Sequence, residues 1–321
     1  MVMRSRSSIT LHFRAEAYDH PSGYVDAGTV MSWLDKAGYA AAATWAGSNV
    51  QATYIGNMKF GHPVPVDTQI TAQARLIYTE GTEIHVQGRL TLPDVLDDDG
   101  EPTVATWVVM VYEAVDAKGK PKQINPWEPR TDAGHKRREV AKARSIEHAR
   151  GEDALGQVSF PDPAETTAEV VLLCFIAHAA QVTPGFRLQG GTLMSWLDEA
   201  AFVCASRWAG KQAVAVFAGG VQFYHGVYVG DVVEIEARIV HTTERSMYLV
   251  VRAWSGKPEQ RDLRPVAQSI AIMVVAEEGK AEPIPSWQPA TEAEKQLQHH
   301  AIELVSMRNK NVYEWSTVEV P

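Results

Sequence analysis

The chain contains itself twice. Residues Gly28 to Gly47 read GTVMSWLDKAGYAAAATWAG and residues Gly191 to Gly210 read GTLMSWLDEAAFVCASRWAG, twelve of twenty positions being identical at a constant offset of 163. The same offset carries Phe60 onto Phe223, His62 onto His225 and Val66 onto Val229. Further on, INPWEPRTDA (Ile124 to Ala133) matches IPSWQPATEA (Ile284 to Ala293) at an offset of 160, so a loop has changed length in between. A duplication of this extent requires one supersecondary unit made twice, each copy with a core of its own.

Within each copy the hydrophobic period changes in a fixed order. An extended stretch comes first, Ser8 to Ala17 or Ala168 to Ala179. The next apolar positions, Met31, Leu34, Gly38, Ala41 and Trp45, have helical spacing and end at Ala-Gly. Runs rich in Val, Ile, Thr and Tyr then follow at Asn49 to Phe60, Asp67 to Thr79, Glu83 to Thr91 and Thr103 to Val115, and read as antiparallel strands. The acidic DVLDDDGEP (Asp94 to Pro102) and its counterpart SGKPEQRDLRP (Ser255 to Pro265) read as hairpin tips. The expected architecture is α+β: one long helix packed on a curved antiparallel sheet of about five strands, made twice. The expected divisions are 8–128 for the first domain, 129–162 for a charged linker with a helix, 163–290 for the second domain and 291–321 for a tail with a helix.

Composition excludes several classes. A formal net charge of −9 argues against nucleic acid as the main partner, because neutralising phosphates needs clustered Lys and Arg. The one basic run, HKRREVAKAR from His135 to Arg144, reads as a solvated linker face or a landing site for a small phosphorylated ligand. Val104 to Val111, an apolar stretch interrupted by Thr106, is too short to span a bilayer, and the first residues lack an apolar signal core. A cytoplasmic protein without membrane insertion is the expectation. The two cysteines, Cys174 and Cys204, cannot make a tetrahedral zinc site alone and sit in apolar runs, so both read as buried thiols.

The repeated helix carries the chemistry. Asp35 and Asp198 each fall on an apolar stripe, the first with Met31, Gly38 and Ala42, the second with Met194, Ala201 and Ala205. A carboxylate in such a place must be hydrogen-bonded, shift its pKa or face a cleft. One reading is a structural carboxylate held by a backbone amide, Ser32 or Ser195; the other is a functional group. At the start of the helix, Gly190 and Gly191, and Ala27 and Gly28 in the first copy, offer unobstructed N–H groups where a developing negative charge is favoured. His62 and His225 read as strand-end caps, and Trp127 and Trp287 as anchors for the segments that follow each domain. Neither G-x-S-x-G, H-E-x-x-H nor a Walker lysine is present.

The Gly-Gly-Thr-Leu-Met-Ser-Trp-Leu-Asp run, its first-half copy and the Phe, His and Val pattern after it resemble the hotdog-fold acyl-CoA thioesterases. In particular they look like the tandem cytosolic acyl-CoA hydrolases, over about Ser8 to Ala293. The resemblance implies two tandem hotdog domains forming an internal pseudo-dimer, with further association into a homo-oligomer. It implies two composite sites, one from Asp35 and Thr53 with Thr183, Gly190 and Gly191, the other from Asp198 and Val216 with His20, Ala27 and Gly28. Each Asp would be general base or nucleophile and the glycine amides would hold the oxyanion. No metal or organic cofactor is implied, coenzyme A entering as part of the substrate.

Many relatives have an Asn fifteen residues before the Asp, where this chain has His20 and Thr183. The Asp35 site keeps both glycines and a hydroxyl, which favours it slightly. Lys59, Arg207 and Arg245 are the basic residues offered for the CoA phosphates. Two alternatives stand beside hydrolysis: an inactive acyl-CoA-binding hotdog, and an acyl-thioester dehydratase or hydratase. The second is disfavoured because no Asp has a His five residues later.

Overall fold

The computed structural model describes residues 7–16, 23–143, 160, 162, 165–181, 187–277 and 279–303. The first copy runs β1 (Ser8–Arg14), α1 (Ala27–Ala46), β2 (Asn49–Ile55), β3 (Met58–Lys59), β4 (Gln69–Glu80), β5 (Glu83–Leu96) and β6 (Pro102–Val115), followed by helix α2 over 132–143. The second runs β7 (Val170–Ile176), α3 (Gly190–Ala209), β8 (Ala213–Phe223), β9 (Val232–Thr242), β10 (Met247–Gly256), β11 (Arg264–Glu277) and β12 (Lys280–Ala281), followed by helix α4 over 292–303. This is a tandem hotdog fold of the α+β class. No helix among the described residues is long and apolar enough to cross a membrane.

The central helices begin and end for local reasons. Asp26 caps α1, its Oδ1 accepting the Thr29 N–H at 2.7 Å, and Gly47 closes the helix in the left-handed region at φ 57°. Helix α3 starts at Gln189 without a side-chain cap and ends at Gly210, φ 65°. The buried positions of α1 include Val30, Met31, Leu34, Gly38, Ala41 and Ala42, one stripe at helical spacing. That stripe touches β1, β2, β4, β5 and β6, and α3 touches β7 to β11 in the same way.

The two sheets are one. All pairings are antiparallel, and the order β1-β4-β5-β6-β2-β8-β11-β10-β9-β7 passes from one copy to the other through β2 and β8. Tyr54 pairs with Gln222 and Ile55 with Val221, while Met58 pairs with Ala218 and Lys59 with Phe217. At the offset of 163, Ile55 meets the copy of Met58 and Met58 meets the copy of Ile55, which defines an internal two-fold. Asn57 lies on it, accepting through Oδ1 the N–H of its own copy, Gly220, at 3.0 Å. Both copies bulge beside this seam, leaving Thr53 without a partner in β6 and Val216 without one in β11.

The two central helices meet at their N-terminal turns. A Cβ on Gly28 would stand 2.7 Å from the Ser195 Cα, and one on Gly191 would stand 2.8 Å from the Ser32 Cα. These glycines are therefore required by backbone approach, not only by a tight turn. On the outer face of the sheet, α2 seats Ala141 on Ile77 and Tyr78, and α4 seats Leu297 and Ala301 on Val240, Val250, Ile270 and Ile272. A reciprocal capping box starts α4: Thr291 Oγ1 accepts the Glu294 N–H, and Glu294 Oε2 accepts the Thr291 N–H at 3.0 Å.

Three details differ from the sequence expectation. Strand β5 continues through Asp94 to Leu96, so the acidic turn is confined to 97–101, where Asp97 Oδ1 accepts the N–H groups of Asp99 and Glu101. The run Asn49 to Phe60 is broken into β2 and β3 by the crossing at Asn57. Cys174 is exposed, because β7 is an edge strand and alternation turns Leu172, Cys174 and Ile176 away from the helix. Only Cys204 is buried, its thiol pushed up to about 12, first by burial.

Replacing Gly28 or Gly191 by Ala is expected to cost about 2–3 kcal/mol each, because rigid backbone on the opposing helix must move. Gly61→Ala, at a site with open space around it, serves as the control. Urea unfolding of the three variants measures the difference.

Candidate active site

Each helix carboxylate is held by the other copy's helix. Asp35 on α1 accepts the Gly191 N–H of α3 through Oδ2 at 2.8 Å, and Asp198 on α3 accepts the Gly28 N–H of α1 through Oδ2 at 2.9 Å. The close crossing of α1 and α3 makes both bonds possible, because glycine lets each amide come within reach. Sequence spacing placed these carboxylates on apolar stripes; the structure adds that each donor comes from 156 or 170 residues away.

Their surroundings are unequal. Asp35 is 4% exposed and has a second donor, the Tyr112 hydroxyl of β6, 2.9 Å from Oδ1. Gly38 makes room for that hydroxyl, since a Cβ there would stand 2.5 Å from it. Burial raises the Asp35 pKa above the ordinary carboxylate value, while the Gly191 amide, the Tyr112 hydroxyl and, least, Lys36 pull it back. In turn burial and the Asp35 carboxylate push the Tyr112 phenol well up. In the second copy the strand register places Met273 where Tyr112 stands: Ala52 pairs with Tyr112 and Ala215 with Met273. Asp198 is half-buried, and its Oδ1 has no donor among the described residues. Its pKa is pushed up to about 7, first by burial, then by Asp26 and Glu199, against the pull of the Gly28 amide.

Tyr112 is the residue that sequence reading missed. A Tyr inside a Val-rich strand looks like core, and the only signal was its pairing with a helical glycine three residues after an Asp, a relation that becomes visible only with the strand register.

The glycine amides need a revised assignment. The sequence expectation made Gly28, Gly190 and Gly191 oxyanion donors, but the Gly28 and Gly191 N–H groups are already given to the carboxylates. One N–H cannot serve both. The Gly190 N–H makes no hydrogen bond to another described residue, and a Cβ on Gly190 would lie 3.5 Å from both Asp35 oxygens and 3.4 Å from the Ala52 Cβ. Ala27 takes this position in the first copy. Thr53 donates its hydroxyl to the Val111 carbonyl at 3.2 Å, inside its bulge. His20 and Thr183 lie outside the described residues. His225 bonds the Pro265 carbonyl through Nδ1 at 2.9 Å, and Trp287 is buried with its indole N–H on Thr167 Oγ1. Among the described residues no group of three or more His, Cys, Asp or Glu side chains is placed to hold a metal ion.

The Thioesterase superfamily profile matches residues 22–96 and again residues 188–261. Each copy therefore carries a segment that matches the Thioesterase superfamily. It is similar to the human cytosolic acyl coenzyme A thioester hydrolase, 21% identical over 290 residues that cover 85% of this chain and 76% of that one. Protein VdlD of Helicobacter pylori is 28% identical over 123 residues, 38% of this chain and 71% of that one. Among solved structures, an acyl-ACP thioesterase from Bacteroides thetaiotaomicron shares the fold over 83% of this chain and 98% of that one, with a TM-score of 0.52 at 10% identity.

The unequal carboxylates give two measurable outcomes. Folded Asp198 keeps its proton up to about pH 7, whereas the unfolded side chain loses it near its ordinary 3.8, so stability falls as pH rises through that interval. Asn cannot ionise. Asp198→Asn should therefore be more stable than wild type at pH 8, on the order of 1–2 kcal/mol after allowance for partial exposure, with the difference vanishing near pH 4. Tyr112→Phe removes a buried donor and should destabilise by about 1–3 kcal/mol at pH 8. Thermal unfolding across this pH range tests both.

Proposed function

We propose that the chain hydrolyses acyl-CoA thioesters to free acid and CoA. The observation that carries this reading is the reciprocal bond between each helix carboxylate and the opposing helix N-terminus, which sets a base beside backbone amides at two equivalent places. Similarity to proteins named acyl-CoA thioester hydrolases supports it.

In this reading the Asp takes a proton from water as the water oxygen attacks the thioester carbonyl carbon. The resulting oxyanion lies at the helix N-terminus, where the Gly190 N–H is the donor for the Asp35 site. The intermediate then collapses with cleavage of the C–S bond, and the proton passes from the Asp to the departing thiolate of CoA. The Gly28 and Gly191 amides orient the carboxylates and do not touch the oxyanion. A base near pKa 7 with an unoccupied oxygen is well suited to neutral pH, so Asp198 meets this requirement more directly than Asp35. Asp35 has the uncommitted Gly190 amide beside it and a carboxylate fixed at both oxygens, by the Gly191 N–H and the Tyr112 hydroxyl.

Free-thiol release from acyl-CoAs of increasing length, run on wild type, Asp35→Asn, Asp198→Asn and the double variant, tests the reading. At least one single variant should lose activity by about 100-fold or more, and the double variant all carboxylate-dependent turnover. Full activity in the double variant, or no thiol from any acyl-CoA, would overturn it.

A further inference from the structure

The duplication provides an internal comparison of the two site entrances, and they differ in charge. The segment leading into α3 carries Arg187, three residues before Gly190, and so within about 11 Å of the Asp35 carboxylate's glycine neighbour. Arg187 donates to Gln51 Oε1 on β2, next to Ala52, the residue against Gly190. Its guanidinium also lies over the Tyr228 ring, 5.4 Å from the centroid. The turn after β6, DAKGKPK (Asp116 to Lys122), packs on it: a Cβ on Gly119 would stand 2.8 Å from Arg187 Nη2. This turn is built by Asp116, whose Oδ1 accepts the N–H groups of Lys118 and Lys120 at 2.8 and 2.9 Å, leaving both lysine side chains exposed. Lys122 adds a charge at the end of α1, bonding the Ala46 carbonyl at 3.3 Å. Asp116, Glu113 and Glu83 are the acids nearby, Glu113 being held by Gln51 at 2.8 Å and paired across the strands with Glu83, and the four cations Arg187, Lys118, Lys120 and Lys122 outnumber them.

The matching entrance of the Asp198 site has the opposite sign. At the offset of 163 Arg187 becomes Tyr24, and at 160 Lys118 becomes Glu278, Lys122 becomes Glu282 and Ala117 becomes Glu277. Lys280 keeps the charge of Lys120, and Arg245, which bonds the Ala281 carbonyl, is paired with Glu244 at 3.6 Å. Two copies of one turn have therefore diverged in charge around the same left-handed glycine, Gly119 at φ 76° and Gly279 at φ 77°.

We infer that the Asp35 entrance, through Arg187, Lys118 and Lys120, is the phosphate-binding mouth for the nucleotide end of coenzyme A, and that the Asp198 entrance repels it. This rests on the acyl-CoA reading above. The multiply negative phosphates of CoA lie at the far end of the pantetheine arm from the thioester, so they meet the protein at the rim and not at the carboxylate. A cluster of exposed lysines beside a partly buried guanidinium suits that load, Arg supplying a planar fork and Lys point charges. Lys59, Arg207 and Arg245, the residues expected from sequence, are not in this cluster. Arg207 is in the last turn of α3, and Arg245 is at the opposite entrance.

Calorimetric titration of the full chain with CoA itself, beside pantetheine as the probe without phosphates, tests the assignment independently of hydrolysis. One CoA per chain is expected. Lys118→Glu with Lys120→Glu, and separately Arg187→Gln, should weaken CoA about 10-fold or more and leave pantetheine unchanged, with CoA affinity falling as salt rises. Glu277→Gln with Glu282→Gln should leave the first CoA unaffected. Two equal CoA sites, or CoA affinity indifferent to Lys118 and Lys120, would overturn the inference, and these exposed lysines remain testable should Arg187→Gln impair folding. A chain that releases no thiol yet binds one CoA through these residues would remove the hydrolase reading and leave the phosphate mouth standing.

Discussion

Two hydrogen bonds between a carboxylate and a backbone amide, made reciprocally across the crossing of α1 and α3, hold the centre of this molecule. Each requires that a glycine at a helix N-terminus come against the other helix with no Cβ between them, and each consumes the amide that would otherwise be an orphan of the first turn. A buried carboxylate is costly unless paired, and helix N-terminal amides are costly unless capped, so the two liabilities cancel across the interface. The sheet is continuous across the same junction, where β2 and β8 pair through Tyr54 with Gln222 and Ile55 with Val221.

Much of this was legible in the sequence because of duplication. The helix Gly28 to Gly47, the strand runs and their order follow from periodicity, and the offset of 163 shows that whatever one helix does the other was built to do. The joint between the copies was not legible. Nothing in Asn49 to Phe60 says that the chain breaks at Asn57 to pair with Gln222 and Val221, because β pairing between distant strands leaves no local period. Cys174 was misread for a related reason: an apolar run on a strand looks buried until it is known to be an edge.

The candidate site was half legible. Asp35 and Asp198 announced themselves as charges on apolar stripes, and the glycines as bare helix starts. That the amides point at the carboxylates, not outward to an oxyanion, required the helix crossing, and the hydroxyl of Tyr112 required the strand register. Asp35 and Asp198 look equivalent in sequence; the difference between them is made by the residue at one register position of the neighbouring strand, Tyr112 on β6, which reaches Asp35 over Gly38 of α1, and Met273 on β11 in the other half.

The contact of Asn57 with Gly220 on the internal two-fold has an evolutionary reading. In a dimer of identical chains a residue on the axis faces itself, so an asparagine there would confront another asparagine and a glycine another glycine. Here one side supplies a side-chain acceptor and the other a bare amide at φ 33°, a match of unlike partners that no symmetric dimer can make. Joining the two copies in one chain released that position from self-complementarity, and the same freedom extends to every pair that the axis relates.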